Sequence, residues 1–572
     1  MASYHVSIHS VSGKLIAIEA TFNVAKKTTM VLQLPAWRPG RYELGNFAKN
    51  IQQINFYNEK NEPLGFRKTT RDQWEIHCTG SKKVIAVYTY SATELNAGSS
   101  FIDENQLYVN PVNCFLYPAD SIHESCSLEL YLPWKKYDVA TSLSKKGNTW
   151  MASDFHEMAD SPFIASPHLK SFSFKVKHLP VTVWIMGECQ ADEKRIREDF
   201  TRFTKKQLDV FGDCPAKKYH YLLQITPGLF YHGVEHLQST VIALGPGSEI
   251  MQGRYDELLG VSCHEFYHAW NIKSIRPVEM FPYDYTRENY FETGYVAEGV
   301  TTYMGDLILW QSEVFSDEQY VRELNAQIQK HADNPGRFNY SVAQSSFDMW
   351  IDGYTPGVAG RKVSIYTEGC LLALCADLMI LKNTGNKSSL HTAMKMMYTN
   401  FYKKKKGYSV QDYKKVLEKV SGLKLDWYFE EYLHGTSDYF KLLNDCLDYV
   451  GFELASTPAS LPNERYFGFK IQETPEISVV SVIYPGSPAD EKITALCKIV
   501  AVNKQMVKGD ATRLIAANGN KPVHLTVSVA DIIKDVVLTP SKKEYYSIWR
   551  FTQQEKVSAV QRKNYLAWKK GI

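Results

Sequence analysis

The strongest signal in the chain is the run His264-Glu265-Phe266-Tyr267-His268. Apolar residues recur with helical spacing from residue 254 to residue 273, which predicts that the run lies on a helix. Two histidines four positions apart project from one helix face about a turn apart, so both imidazoles can reach one zinc ion. The sequence therefore predicts a zinc site on His264 and His268, with the Glu265 carboxylate beside it.

A catalytic zinc takes three protein ligands and keeps a fourth position for water, so a third ligand must lie elsewhere in the chain. One zincin class places a glycine three residues, and a histidine six residues, after the second histidine. This chain has Asn271 and Ser274 there, which excludes that class. The other class draws a glutamate from a second helix, and three glutamates qualify by position: Glu279, Glu292 and Glu298.

Glu298 is the predicted third ligand. Glu279 lies between two prolines, where no regular helix can present it, and Glu292 lies in a stretch typical of a solvated helix entry. Glu298 opens the amphipathic stretch Glu-Gly-Val-Thr-Thr-Tyr-Met-Gly-Asp-Leu, so its carboxylate can face the first helix. One turn later, Thr302 is expected either to orient a zinc-bound histidine or only to pack.

Glu265 is the predicted general base. Zinc lowers the pKa of its bound water toward 7, and a carboxylate within reach can take that proton and later deliver it to a leaving amine. The predicted chemistry is hydrolysis of a carbonyl compound, in the first place a peptide bond, with one Zn²⁺ per chain.

Composition excludes several other classes of protein. The 572 residues carry 65 basic and 62 acidic side chains, a net charge of +3, so no global field recruits nucleic acid or an anionic membrane. The longest apolar stretch, residues 370–381, is interrupted by Asp377 and is too short to span a bilayer. The ten scattered cysteines and the absence of a basic-then-apolar leader indicate a cytoplasmic protein.

The chain divides by its periodicity. Residues 1–172 alternate polar and apolar positions between turns, which predicts an N-terminal β-sandwich. Strands continue to about residue 250 around one helical stretch, and after Gly253 the period becomes helical. Residues 173–456 therefore form a β lobe followed by an α lobe. Short strands return over residues 464–541, and residues 542–572 form a basic tail with aromatic residues, expected to be a solvated amphipathic segment that packs its rings.

Several motifs together resemble the glycyl aminopeptidase family, gluzincin zinc metallopeptidases with a C-terminal PDZ domain. The zinc helix with its extension reads H-E-F-Y-H-A-W-N-I-K-S-I-R-P and matches that family's signature. Other segments follow in the expected order: Trp37-Arg-Pro-Gly-Arg-Tyr42, Asn46-Phe-Ala48, Ala297-Glu-Gly299, Ser345-Ser-Phe-Asp-Met-Trp350 and Val363-Ser-Ile-Tyr-Thr-Glu-Gly369. The resemblance spans nearly the whole chain and implies a thermolysin-like catalytic domain over residues 173–456 and an aminopeptidase acting on N-terminal glycine or alanine.

The resemblance implies further site residues. Gly233-Val-Glu-His236 looks like the family's G-x-E-H segment, in which Glu235 would hold the substrate's free α-amine and the backbone at Gly233 would pair with the extended peptide. The family has a second glycine where this chain has His232, which changes the pocket for the first side chain. Tyr366 is similar to the tyrosine that donates a hydrogen bond to the tetrahedral oxyanion.

The C-terminal domain resembles a PDZ domain in two places. Arg465-Tyr-Phe-Gly-Phe469 looks like the carboxylate-binding loop that receives a peptide C-terminus, and Pro485-Gly-Ser-Pro-Ala489 looks like the usual turn. The next element departs from the pattern, with Leu496-Cys497 and Asn503-Lys504 in place of the usual glycines. Residues 464–541 are therefore expected to form a PDZ-like domain that either captures a peptide C-terminus or only supports the catalytic lobes.

Two other functions compete with a zinc aminopeptidase that acts on peptides with a free N-terminus. One is a catalytically silent peptide-binding scaffold built on the same fold. The other is a hydrolase of epoxides or other small molecules that uses the same metal, since a fold does not determine its substrate.

Overall fold

The structure is a computed structural model that describes residues 1–24, 27–355, 357–358 and 360–571, so Ile572, the last residue of the predicted tail, lies outside the described residues. A β-rich N-terminal part is followed by a sheet, a series of helices and a second β-rich part. This order confirms the predicted multidomain α+β class. Among the described residues no helix combines the length and the apolar character needed to cross a membrane.

The N-terminal part is built from short strands whose side chains alternate between the core and the surface, as in β7, where buried positions recur at every second residue. Its elements are β1 Ala2–Ser10, β2 Leu15–Asn23, β3 Thr29–Gln33, β4 Ile51–Tyr57, β5 Phe66–Thr70, β6 Gln73–His77, β7 Lys83–Ser91, β8 Phe101–Ile102, β9 Leu107–Val109, α1 Pro111–Cys114, β10 Tyr117–Pro118, β11 Cys126–Tyr131, β12 Asp138–Thr141, β13 Ser144–Lys146, β14 Thr149–Ala152, α2 Phe155–Ala159 and β15 Phe163–Ser166.

These strands form a seven-stranded sheet and two four-stranded sheets. Their orders are β13-β14-β11-β1-β2-β7-β4, β10-β3-β6-β5 and β12-β15-β9-β8. The β-rich prediction is confirmed, and the third sheet is an addition to the two that a sandwich requires. The core of this part is continuous with that of the next part, since Trp37 packs edge-on against Tyr283 and Trp350 at ring-centroid distances of 5.5 and 5.1 Å.

The next part begins with a five-stranded sheet in the order β16-β17-β18-β20-β19, so β19 lies at one edge. The strands and the two helices that accompany them are β16 Lys170–Val176, β17 Leu179–Met186, α3 Glu193–Phe211, β18 Tyr219–Ile225, β19 Phe230–Glu235, β20 Ser239–Gly245 and α4 Tyr255–Tyr267. One side of β19 pairs with β20, and its other side has no partner strand among the described residues.

The helical lobe follows, as the change of periodicity predicts. It begins with a π-helical segment, Tyr295–Val300, that runs directly into α5. The helices are α5 Thr301–Gln311, α6 Asp317–Asp333, α7 Val342–Phe347, α8 Met349–Asp352, α9 Ile365–Thr384, α10 Leu390–Asn400, α11 Val410–Ser421, α12 Asp426–Tyr428 and α13 Phe440–Asp448.

The C-terminal region has a hydrophobic core of its own, separate from that of the catalytic lobes. Its sheet has the order β22-β23-β24-β26-β27, with β25 paired to β24. The elements from this region to the end of the chain are β21 Phe452–Pro458, α14 Pro462–Arg465, β22 Phe469–Glu473, β23 Ser478–Ile483, β24 Lys498–Val502, β25 Gln505–Met506, α15 Ala511–Ala517, β26 Val523–Val529, β27 Ile532–Leu538, β28 Ser547–Gln553 and α16 Ala559–Lys570.

The predicted carboxylate-binding loop is partly occupied by the chain itself. Phe467 and Phe469 are buried in the domain's core. The backbone N–H groups of Tyr466 and Phe467, which such a loop would offer to a carboxylate, already donate to the carbonyl of Pro462 at 2.9 and 3.3 Å. The PDZ-like assignment and its peptide ligand remain predictions.

The predicted basic tail packs its aromatic rings against the rest of the chain. Strand β28 pairs with β21, and the ring of Trp549 stacks on Phe440 at 4.2 Å. In α16, Trp568 is buried against Trp310, and its indole N–H donates to the Tyr303 hydroxyl at 3.1 Å. The tail therefore packs against α5, because its aromatic rings complete the core around that helix.

Candidate metal centre

Helix α4 presents both histidines of the sequence motif. It ends at Tyr267, with His268 as its C-cap, and the two Nε2 atoms lie 3.0 Å apart. His268 Nδ1 lies 3.0 Å from the backbone carbonyl of Asn271. Since a carbonyl only accepts hydrogen bonds, Nδ1 carries a proton, and in the neutral form of the ring, which binds metals, Nε2 has the free lone pair. The side chain of Asn271 donates to the Val296 carbonyl at 2.7 Å and ties this turn to the π-helical segment.

Glu298 lies in that π-helical segment, and a π-helical turn inside a helix is often found at a functional site. Its Oε2 is 3.4 Å from His268 Nε2 and 3.9 Å from His264 Nε2. The two competing glutamates, Glu279 and Glu292, are exposed. The geometry thus brings together the three residues predicted as ligands.

The N-terminal domain supplies a residue that the sequence analysis missed. The hydroxyl of Tyr42 donates to Glu298 Oε1 at 2.5 Å, so one carboxylate oxygen is held while the other faces the histidines. Burial, together with the Glu298 carboxylate, raises the pKa of Tyr42 well above its usual value, which keeps the phenol protonated as a donor. Tyr42 closes the Trp37-Arg-Pro-Gly-Arg-Tyr42 motif, but nothing in the motif itself indicates a contact with a residue 256 positions later.

Thr302 does not orient a histidine. Its hydroxyl donates to the backbone carbonyl of Glu298 at 2.9 Å, one turn back in the helix. The orientation of His268 comes from the Asn271 carbonyl instead, so the alternative in which Thr302 only packs is the one that the structure supports.

The three side chains fit a zinc ion. Bonds of about 2.0 to 2.1 Å in a tetrahedron place ligand atoms about 3.3 to 3.4 Å apart, and the distances here are 3.0, 3.4 and 3.9 Å. All three ligand atoms lie within 4.8 Å of one another. Burial lowers the pKa of His268, but the carboxylates of Glu298, Glu235 and Glu265 raise it to about 10. A buried surplus of negative charge of this kind suits a divalent cation.

A second combination of side chains also lies within 4.8 Å: Glu235, Glu265 and His268. It shares His268 with the first group and contains one imidazole, whereas zinc sites of the HExxH type use both histidines. The group of His264, His268 and Glu298 therefore fits a zinc ion better, with Glu235 and Glu265 as carboxylates that face it.

Glu265 is buried beside the metal centre. Its Oε2 has no hydrogen-bond partner among the described residues. Burial raises its pKa well above the usual value, and Glu235 and Glu298 add to this against the opposing effect of His268. A Cβ at Gly233 would lie 2.3 Å from Glu265 Oε1, so only glycine leaves room for this carboxylate on the neighbouring strand.

Glu235 lies at the end of β19 with 4% of its surface exposed, and its Oε1 has no hydrogen-bond partner among the described residues. The loop that carries Tyr42 closes this end of the site, since a Cβ at Gly40 would lie 2.4 Å from Glu235 Oε2. Gly40 also has a left-handed φ of 83°, which favours glycine. Glu235 is therefore an unpaired buried carboxylate at a closed end.

Tyr366 lines the same cavity from the first turn of α9. Its hydroxyl lies 3.2 Å from that of Tyr354, a second tyrosine that the sequence analysis did not single out. Burial, with the Glu298 carboxylate, raises the pKa of Tyr366 well above its usual value, so it remains a hydrogen-bond donor. A close glycine contact sets the position of α9: a Cβ at Gly299 would lie 2.3 Å from the Cα of Gly369.

An ion-pair cluster holds the N-terminal part against the site. Asp160, at the C-cap of α2, lies 2.7 Å from Lys273 Nζ and 3.1 Å from His236 Nδ1. Burial opposes ionisation, but Lys273 and His236 outweigh it and hold the pKa of Asp160 well below its usual range. Because Lys273 follows the zinc helix and His236 follows Glu235, the cluster fixes both sides of the site to one carboxylate.

The comparisons with known proteins agree with this geometry. Residues 3–167 match the model of the peptidase M61 N-terminal domain, and residues 257–372 match that of M61 glycyl aminopeptidase. By class the chain is a peptidase. It belongs to the M61 glycyl aminopeptidase family, as its motifs indicate. Neither match extends to the PDZ-like domain.

A solved structure shares the fold over nearly the whole chain. An aminopeptidase N family protein from Idiomarina loihiensis has a TM-score of 0.89 and 22% sequence identity, over 99% of this chain and 100% of its own. An M1 zinc metallopeptidase from Deinococcus radiodurans, bound to a Tyr-Ser-Ala substrate, has a TM-score of 0.48 and 12% identity, over 76% of this chain and 94% of its own. A search of curated proteins gave no match. The first likeness shows that the whole chain adopts a known fold.

Proposed function

We propose that this protein is a zinc-dependent aminopeptidase of the gluzincin type that removes N-terminal residues from peptides. The observation that carries the proposal is the convergence of His264, His268 and Glu298 within 4.8 Å, beside the buried carboxylate of Glu265. One Zn²⁺ per chain would occupy this position. When bound, it supplies Lewis-acid chemistry, lowering the pKa of a water molecule and polarising a carbonyl group.

The chain's own residues then have distinct tasks. Glu265 takes the proton of the attacking water and passes it to the leaving amine, which its unpartnered Oε2 is free to do. Tyr366 donates a hydrogen bond to the carbonyl oxygen as negative charge develops on it, a contribution worth about 2.7 to 4 kcal/mol. The free edge of β19 at Gly233 binds the extended peptide backbone.

Glu235 makes the enzyme an exopeptidase in this proposal. A substrate's α-ammonium needs an anion at the closed end of the cleft, and Glu235 is an ionisable group in that position without a hydrogen-bond partner on Oε1 among the described residues. His232 and Gly40 border the space for the first side chain. A preference for glycine or alanine follows from the family and is part of the proposal.

A metal-dependence assay tests the function. We expect turnover of an alanyl or glycyl chromogenic substrate to be abolished by a chelator and restored by stoichiometric zinc. Metal analysis of the same sample should give about one zinc per chain. A zinc-loaded protein that cleaves none of these substrates would favour the peptide-binding scaffold, and one that cleaves only non-peptide esters or epoxides would favour the small-molecule hydrolase.

The substitution Glu235→Ala tests the exopeptidase assignment. The substituted site lacks the anion that binds the substrate's ammonium group. We therefore expect kcat/KM on a free-amine peptide to fall by about 10- to 1000-fold. This range corresponds to the loss of a charge-assisted hydrogen bond, worth about 1.5 to 3 kcal/mol and more for a buried charge. The N-acetylated form of the same peptide is the control, since it offers no ammonium. Equal losses on both peptides would indicate an endopeptidase.

The compartment and a second ligand are further parts of the proposal. All ten cysteines are free thiols, and eight of them are buried, which suits the reducing cytoplasm predicted from the sequence. A peptide C-terminus at the PDZ-like loop would have to displace the hydrogen bonds that the N–H groups of Tyr466 and Phe467 make with the Pro462 carbonyl.

A further inference from the structure

The cavity at the metal centre is much larger than a single amino acid needs. It has a volume of about 1060 Å³ and continues past Glu298 along α5, with Thr302 and Asp306 in its lining. These three residues follow each other at intervals of four and therefore lie on one face of the helix. Eight residues of helix rise by about 12 Å, so Asp306 lies about that far along the axis from the metal ligand Glu298.

The direction of a bound peptide follows from the same cavity. The end at Glu235 is closed by the backbone at Gly40, so a peptide whose amine lies there must extend the other way, along β19 toward Tyr231. It would then run antiparallel to the free edge of β19 and over the face of α5. An extended chain advances about 3.4 Å per residue, so the third residue after the cleaved bond lies about 10 Å beyond it.

Most carboxylates in this part of the cavity already have a cation. Arg322 lies 2.8 Å from Asp256 and 2.9 Å from Glu323, and Arg254 pairs with Glu257. Asp306 differs: within the described part of the chain, no hydrogen bond or ion pair joins its carboxylate to another residue. Burial and the neighbouring Glu323 raise its pKa to about 8, against Lys330 and Arg322, so the free carboxyl is largely protonated at neutral pH and a bound ammonium or guanidinium group would favour its ionised form.

We propose that Asp306 is a specificity residue that binds a lysine or arginine side chain at the third position after the cleaved bond. This inference rests on the proposed aminopeptidase function and adds a substrate class to it: peptides of four or more residues with a basic side chain at that position. The extent of the cavity along α5, the free strand edge and the Asp306 carboxylate, which has no ion-pair partner among the described residues, together place this subsite. A long basic side chain reaches the carboxylate while its stem lies along the apolar part of the cleft.

A matched pair of peptides tests the inference. The pentapeptide amides Ala-Ala-Ala-Lys-Ala and Ala-Ala-Ala-Nle-Ala, where Nle is norleucine, differ only in the charge at the third position after the first bond. We expect the zinc-loaded protein to release the first alanine from the lysine peptide with a kcat/KM about tenfold higher. Asp306→Asn should bring the ratio of the two values close to one, and Asp306→Glu should retain most of it.

Glu313→Gln is the control variant. Glu313 is an exposed acidic residue in the turn after α5 and is not among the residues that line the cavity. Its substitution likewise replaces a carboxyl group with an amide, so the ratio should remain at its original value. A lysine preference that survives in Asp306→Asn would overturn the assignment. Equal cleavage of both peptides by the unmodified protein would overturn this inference alone, whereas cleavage of neither would overturn the aminopeptidase function and this inference with it.

Discussion

Glu265→Gln is expected to lower kcat on an alanyl substrate by about 10²- to 10⁴-fold, the range of general acid–base catalysis by a positioned side chain. Glutamine has nearly the same shape as glutamate but cannot accept a proton, and Glu265 is not among the three residues whose ligand atoms meet at the metal centre. We therefore expect the variant to retain its zinc. Steady-state kinetics and metal analysis on the same preparation check both parts.

The two measurements separate a catalytic role from a structural one. Loss of turnover with full zinc content is the expected pattern. Loss of zinc together with turnover would mean that Glu265 supports the metal site, for instance through the alternative group with Glu235 and His268. Turnover at the original rate would refute the role of Glu265 as the base.

Glu298→Ala is expected to abolish both zinc binding and turnover. The substitution leaves two of the three proposed ligands. Removing a residue that only hydrogen-bonds to a ligand already lowers metal affinity by about 10- to 100-fold, so we expect removal of a ligand to lower zinc affinity by more than about 100-fold. Competition with a chromogenic chelator measures the affinity. The effect should be large because the cavity left by Glu298 is buried and no other carboxylate of the π-helical segment can replace it.

Glu292→Ala and Glu279→Ala are matched controls for this experiment, because both glutamates were candidate ligands in the sequence and both side chains are exposed. We expect each variant to bind zinc with unchanged affinity and to retain activity. Zinc binding that survives in Glu298→Ala but is lost in Glu292→Ala would show that the ligand assignment is wrong.

Much of the site could be predicted because its key spacings are local. His264 and His268 must share a helix face whatever the rest of the chain does, since a separation of four residues corresponds to about one turn. Glu298 followed from the need for a third ligand and from the helical pattern after it. The family motifs then indicated Glu235, Gly233 and Tyr366, and the structure places all three at the same cavity.

Other parts of the site depend on contacts between distant segments, and here the sequence analysis failed or was silent. Tyr42 reaches Glu298 from the N-terminal domain, and Asp160 reaches Lys273 and His236. The basic tail was expected to pack its rings, but the sequence did not show that Trp568 would be buried against α5. A list of polar or aromatic residues does not show which of them meet, because such pairs are selected by the shape of the whole fold.

By itself, the amino-acid sequence determined the order of β-rich and helical parts, the helix that presents two imidazoles on one face, and the glycyl aminopeptidase family. Those features can be predicted from the sequence because they depend on local periodicity and on short motifs. Only the tertiary structure decided which carboxylate oxygen faces the histidines, that Tyr42 holds the other, and that the cavity continues to Asp306. The orientation of a side chain and its charge partner depend on segments that lie hundreds of residues apart in the chain. Burial brings these segments together and removes water, so most buried polar atoms pair with one another, and a few that stay unpaired lie at the site.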